Sequence, residues 1–203
     1  MSSSYPYFLS PNQDEYLQEI SVDESLEDYV EVPSDIVPFE ERPWMKAAEI
    51  TDAVVKAIQE GKHRFIRLNY ANGDMVGHTG VIEAVEIAVE SVDLCLARLI
   101  ETIKKTNGIL VVTADHGNSD DMYERDKKTG DIVFDEQTGK PKTKTAHSLN
   151  PVPVYIFEPT GTVKLRLSEH KDLGISSLAA TCLKLLGFEP PQEYTPSVVE
   201  IEN

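Results

Sequence analysis

The feature that most constrains this chain is a long amphipathic segment, residues 81–105, followed three residues on by Gly108 and a short apolar run. Ala84, Val85, Ala88, Val89, Val92, Leu96, Leu99 and Ile103 recur at helical spacing and draw one apolar stripe along it. A helix of that length with a single apolar face must lie against other elements of a core. Gly108 marks its end, and residues 109–113 read as a strand, continuously apolar as the strands of a parallel sheet are. The same alternation recurs on both sides. Met45, Ala48, Ile50, Val54, Val55 and Ile58 predict a helix stopped at Gly61, and residues 65–69 a short strand. Residues 152–157 predict a third strand, and residues 173–186 a final helix ended by Gly187 and Pro190. Helices alternating with strands imply an α/β fold, a mainly parallel sheet with flanking helices.

Two stretches depart from that rhythm. Residues 1–44 read as an irregular acidic arm, with Pro33, Pro38 and Pro43 excluding a helix or central strand, and with Tyr5, Tyr7 and Phe8 as residues able to dock on a partner. Residues 45–203 form the ordered domain. Inside it, residues 117–145 make a polar excursion in which "KKTGD" and "EQTGK" are turn signals on either side of residues 132–134, predicting a β-hairpin. Three segments around these elements carry chemistry: "NYANGDMVGHTG" at residues 69–80, "TADHGN" at 113–118 and "TAHSLNPVP" at 145–153. The first two directly follow predicted strands, where open α/β sheets bind their ligands. The third precedes a strand, so His147 reaches the same place only if its loop folds back over the top.

Imidazole with carboxylate suits manganese, zinc or iron, whereas all-oxygen sites suit magnesium or calcium. Asp74, His78 and His147 make a set of two histidines and one carboxylate that leaves coordination positions open. Asp115 and His116 supply two further ligands, too few to hold a metal well by themselves. Each motif alone has a plainer reading as turn or capping chemistry; that all three are turns by coincidence is the weaker account. His63 and His170 lack such context and read as surface histidines. The 203 residues carry a formal net charge of −16, which excludes a basic nucleic-acid face but not a phosphate ester held at metal ions. Cys95 and Cys182 read as buried free thiols of a reducing compartment. The sequence has neither a run of 18 apolar residues nor a signal peptide at its start, so the expected setting is the cytoplasm, with no membrane partner.

The three motifs closely resemble the metal-binding motifs of the cofactor-independent (2,3-bisphosphoglycerate-independent) phosphoglycerate mutases, members of the alkaline phosphatase superfamily. Residues 32–54, "VPSDIVPFEERPWMKAAEITDAV", are similar to the run that precedes those motifs in one branch of the family. The resemblance implies the carboxy-terminal part of an alkaline phosphatase-like metal-binding domain, incomplete in this chain. It implies glycolytic interconversion of 3-phosphoglycerate and 2-phosphoglycerate through a phosphoserine, at two divalent metal ions, manganese before magnesium or cobalt. One metal takes an Asp and a His of the first motif and a His of the third, matching Asp74, His78 and His147. The other takes the Asp-His pair of the second, matching Asp115 and His116. Its remaining ligands, an Asp and the nucleophilic Ser, lie near the amino terminus of the full-length family members. No Ser here occupies a matching nucleophile motif, no catalytic residue is assigned, and the substrate-binding residues stay unknown. The lysine that follows a "PSP" run in many members has no counterpart at Pro33-Ser34-Asp35, and Lys46 is not assigned its role. The expectation is thus an isomerase fragment, inactive alone, that pairs with an amino-terminal partner segment or self-associates through an exposed sheet edge. The alternatives are a non-catalytic metal-binding or interaction module, and another superfamily member such as a phosphopentomutase or phosphatase.

Overall fold

The structure, a computed structural model, describes residues 26–202. Tyr5, Tyr7 and Phe8, the proposed docking residues of the arm, lie outside the described residues. A 3-10 turn, Phe39–Glu41, leads into helix α1, Ala47–Glu60, which ends at Gly61 in the left-handed conformation, as its sequence predicts. A one-and-a-half-turn helix, α2, spans Asn72–Gly77, and the long helix, α3, spans Ile82–Thr106. Strand β1, Leu110–Thr113, follows, then a long excursion, then β2, Val154–Phe157, and β3, Lys164–Leu167. Helix α4, Ser177–Leu185, and strand β4, Val199–Glu202, complete the described chain.

The stripe on α3 does what its spacing requires. Ala84, Val85 and Ala88 pack with Met45, Val76 and Met122 in one cluster. About three turns further along the helix, Leu99 packs with Ile50 and Val54 of α1 in a second cluster, reached also by Leu68, Tyr70 and Leu110. Val89 is an exception: half exposed, it faces away from the core, and Cys95 and Thr102 are buried instead. The helix is capped by Asn107 in the left-handed conformation, one residue before the predicted stop at Gly108. Thr51 ties the α1–α3 layer to the chain entering α2, its hydroxyl 2.7 Å from Tyr70 Oη while it donates to Ala47 O at 2.6 Å. Desolvation of the half-buried Tyr70 phenol pushes its pKa up to about 12.

The end of the arm belongs to this body. Val32 packs on the α1–α3 cluster and Phe39 on the other. Asp35 takes Lys46 Nζ and Arg42 Nη1 at 2.8 Å each, and those hydrogen bonds hold its carboxyl below the usual carboxylate range. His63 is a correction to the surface assignment: its side chain is only 6% exposed, with Nε2 3.0 Å from Asp28 Oδ2. His170 is exposed as expected. Cys95 is buried and Cys182 half-buried, both as free thiols.

The α/β class holds, but the direction of pairing differs from the expected parallel sheet. Among the described residues both ladders are antiparallel, β1 with β2 and β3 with β4. The reason is the connection. A parallel pair needs a crossover, usually a helix, and residues 114–153 contain none. The predicted strand at residues 65–69 reduces to a single bridge position at Arg67. The expected hairpin is present in closed form: antiparallel bridges join Tyr123 to Thr143, Arg125 to Ile132 and Phe134 to Pro141, so each of three short segments pairs with the other two. Its two D-x-x-T-G turns are held by Asp126 and Asp135, whose Oδ1 atoms accept backbone N–H groups two and three residues on. No helix among the described residues is long and apolar enough to cross a membrane.

Leu99 is 1% exposed between α1 and α3, so Leu99→Ala is expected to lower unfolding stability by about 2–5 kcal/mol, measured by denaturant titration. Tyr70 is neutral when folded and its raised pKa favours the protonated form. Its contribution is therefore full below the pKa of an exposed tyrosine, about 10, and lost as pH rises to about 12. Tyr70→Phe should remove that alkaline loss from the stability–pH curve while leaving the acid side unchanged.

Candidate metal centre

Antiparallel pairing explains how the third motif reaches the second. Thr113 at the end of β1 lies opposite Val154 at the start of β2. The chain leaving β1 toward His116 and the chain arriving at β2 from His147 are therefore neighbours. No fold-back over the top is needed. A bridge between Gly117 and Ser148 continues the pairing beyond the strand ends, with Ser148 N donating to Gly117 O at 2.8 Å. Glycine is required there, because a Cβ on residue 117 would stand 2.1 Å from Ser148 Oγ and 2.6 Å from Asp120 Oδ1.

The first motif arrives on α2. The spacing of four residues sets Asp74 and His78 on one face of this short helix, one turn apart, with His78 N bonded to Asp74 O at 3.0 Å. Helix formation over Asn72–Gly77 brings the two side chains together. Asp74 Oδ1 is 3.2 Å from His78 Nε2 and 3.1 Å from His147 Nε2, and the two Nε2 atoms are 3.2 Å apart. Three donors from residues 74, 78 and 147 thus form a nearly equilateral triangle. Ligands about 2.0–2.2 Å from one ion at tetrahedral to octahedral angles are separated by roughly 2.8–3.6 Å. The triangle fits a single divalent cation.

Hydrogen-bond partners point the donors inward. His78 Nδ1 lies 2.6 Å from Thr145 O. A carbonyl only accepts, so Nδ1 donates to it, and Nε2 is left facing Asp74 as the ring atom available to a metal. Backbone carbonyls orient metal-ligating imidazoles in this way. Asn118 Nδ2 donates to Asp74 Oδ1 at 2.8 Å and to Asp74 O at 3.3 Å. Asn118 is buried, and its carboxamide occupies the space a side chain at Gly77 would need, with Oδ1 2.4 Å from where that Cβ would be.

His116 belongs to the same cluster. Its ring stacks on His147 at 3.7 Å, and its Nε2 lies 4.0 Å from Asp74 Oδ1. The donors of Asp74, His116 and His147 all fall within 4.8 Å of one another. That is looser than the Asp74–His78–His147 triangle, and 4.0 Å suits ligands of neighbouring ions or of opposite sides of one ion. Asp115 is the outlier: its carboxylate is 82% exposed, with Oδ1 3.7 Å from His116 Nε2. All five sequence-predicted donors therefore meet at the end of β1, four in contact and Asp115 at the rim.

Sequence reasoning missed the scaffold around them. Asp120 accepts Ser148 Oγ at 2.9 and 3.1 Å and Asn150 Nδ2 at 2.6 Å. Burial opposes its charge, but hydrogen bonds from Asn150 and Ser148 outweigh this and hold its carboxyl below the usual range. The signal was in the motifs, since Asn118, Ser148 and Asn150 are part of them, but a hydrogen-bond partner distant in the chain leaves no periodicity.

Imidazoles and a carboxylate gathered at the end of an α/β strand have the donor chemistry of a metalloenzyme centre, and the chain belongs to the Metalloenzyme superfamily, whose family model matches residues 8–190. More particularly, it is similar to the 2,3-bisphosphoglycerate-independent phosphoglycerate mutases. It is 46% identical over 182 residues to that of Trypanosoma brucei brucei, covering 88% of this chain and 32% of the relative. To 2,3-bisphosphoglycerate-independent phosphoglycerate mutase 1 of Arabidopsis thaliana it is 42% identical over 199 residues, covering 96% and 34%. A crystal structure of Leishmania mexicana phosphoglycerate mutase at low cobalt concentration superposes with a TM-score of 0.90 at 38% identity, covering 98% of this chain and 38% of that one. The chain spans about a third of the length of the curated relatives it matches.

Gly117→Ala should force the second and third motifs apart. The expected cost is about 1–3 kcal/mol of stability, read as a lowered thermal midpoint, with weakened binding of divalent metal in the folded variant.

Proposed function

We propose that this chain supplies the metal-binding face of a cofactor-independent phosphoglycerate mutase, interconverting 3-phosphoglycerate and 2-phosphoglycerate as part of a complete enzyme. The observation that carries this reading is the donor triangle of Asp74, His78 and His147, with edges of 3.1–3.2 Å. Similarity at 42–46% identity to proteins bearing that name supports the choice among metalloenzyme chemistries over a phosphopentomutase or phosphatase. On this reading Asp74, His78 and His147 would hold one divalent ion, and Asp115 with His116 would begin a second site. Bound there, such ions supply Lewis acidity that offsets charge on a phosphoryl group and eases deprotonation of a hydroxyl nucleophile. Manganese is the proposed metal, from the mixed imidazole and carboxylate donors, and cobalt is compatible.

The chain's own residues do the positioning. Thr145 O fixes the His78 tautomer, Asn118 fixes the Asp74 carboxylate, and the stacking of His116 on His147 holds two imidazoles side by side. The exposed Asp115 carboxylate leaves the second site open to further ligands, which the proposal assigns to a segment outside this sequence, together with the nucleophile. Such a segment also has a place to dock: β1 and β2 pair only with each other among the described residues, and Val154 and Tyr155 are exposed on them. The cytoplasm is the proposed setting, consistent with two free thiols.

Elemental analysis after loading with manganese should find metal in wild type and markedly less in His78→Ala and His147→Ala; equal metal in all three would remove the ligand assignments. Coexpression with a segment carrying the remaining two thirds of a relative should yield mutase turnover that depends on manganese. Metal binding without any rescue of turnover would favour a non-catalytic module.

A further inference from the structure

We propose that Asp120, which is not one of the five donors, is a positioning residue that fixes His147 in the metal centre through Ser148 and Asn150. The inference rests on the metal-centre reading above. His147 sits on a stretch, residues 145–150, without helix or strand. Apolar packing does not anchor it: Leu149 is fully exposed and the His147 side chain is half exposed. Pro151 and Pro153, which follow, have no N–H to donate to a ladder. What holds the stretch is polar. Ser148 Oγ donates to the Asp120 carboxylate, 2.9 Å from Oδ2 and 3.1 Å from Oδ1. Asn150 Nδ2 donates to Oδ2 at 2.6 Å, and Ser148 N donates to Gly117 O at 2.8 Å.

The carboxylate thus binds the residue next to His147 and the residue three positions beyond it. It is itself placed by the turn after His116, where Asp121 N donates to Asn118 O at 3.2 Å. The second motif's turn therefore carries His116 at one end and the clamp for His147 at the other. The lengths of the donor triangle leave little tolerance, because a displacement of His147 Nε2 by about 1 Å takes it out of the range for a metal–nitrogen bond. Hydrogen bonds to a charged acceptor are stronger than neutral ones, and both Asp120 oxygens are used.

The test is calorimetric titration of cobalt(II) into the full chain, with the visible absorption of bound cobalt as a second readout of ligand geometry. Wild type, Asp120→Ala, Asp120→Asn, Ser148→Ala and His147→Ala are compared, with the denaturant midpoint of each metal-free protein. Loss of a partner outside the ligand sphere typically weakens metal affinity 10–100-fold. Asp120→Ala is expected to fall by about tenfold or more and to shift the cobalt spectrum toward that of His147→Ala. Asp120→Asn, which keeps one acceptor oxygen, should recover most of the affinity. Wild-type affinity and spectrum in folded Asp120→Ala would overturn the inference while leaving the metal centre intact. If Asp120→Ala does not fold, the Ser148→Ala/Asn150→Ala double variant replaces it, and unchanged affinity there overturns the inference equally. Failure of wild type to take up cobalt, or equal uptake by His147→Ala, would instead sink the metal-centre reading, and this inference with it.

Discussion

The antiparallel pairing of Leu110–Thr113 with Val154–Phe157 is the constraint on which the rest depends. Two segments that leave a sheet at the same end are neighbours only if one strand finishes where the other begins. In a parallel pair the loop entering β2 would sit at the far end of the sheet from the loop leaving β1, about a strand length away. Because the strands oppose, the second and third motifs emerge side by side, and Gly117 and Ser148 extend the pairing far enough to stack His116 on His147. The helices enter through the same geometry. Leu110 of β1 packs on the cluster formed by Ile50, Val54 and Leu99, which fixes the sheet against α1 and α3. Val76 of α2 packs on Ala84 and Ala88, which fixes Asp74 and His78 relative to α3.

Two kinds of force divide the molecule. Around α1 and α3, burial of aliphatic side chains dominates, and stability there is set by packing and cavity terms. Around the metal centre, direct hydrogen bonds do the holding: Thr145 to His78, Asn118 to Asp74, and Ser148 and Asn150 to Asp120. A centre that stays open to solvent cannot be sealed by apolar side chains. Polar clamps fix ligand direction while leaving His78 and His147 about half open. The cost is close approach of backbones, which is why Gly77 and Gly117 stand under Asn118 and Ser148, where a Cβ would collide.

Membership of the Metalloenzyme superfamily and the superposition on a phosphoglycerate mutase crystal structure agree with this division. The region shared with the relatives, about a third of their length, contains the triangle of Asp74, His78 and His147, with His116 and Asp115 beside it. The Asp115 carboxylate is exposed at the rim of that cluster.

The sequence by itself determined the longer helices and singled out the candidate donors. The period of the α3 stripe, the stop at Gly61 and the five residues Asp74, His78, Asp115, His116 and His147 were all legible, because helical periodicity and ligand chemistry are local properties of a chain. Only the tertiary structure decided the direction of β2, the folding of residues 72–77 into a helix, the burial of His63 against Asp28 and the Asp120 clamp. Each of these depends on a partner 28 or more residues away, or on a packing surface, as with Asp120 and Ser148 or Asp74 and Asn118. Strand direction is a property of a pair, and apolar runs look alike whichever way they are paired; the missing crossover helix was the one trace of it that the sequence held.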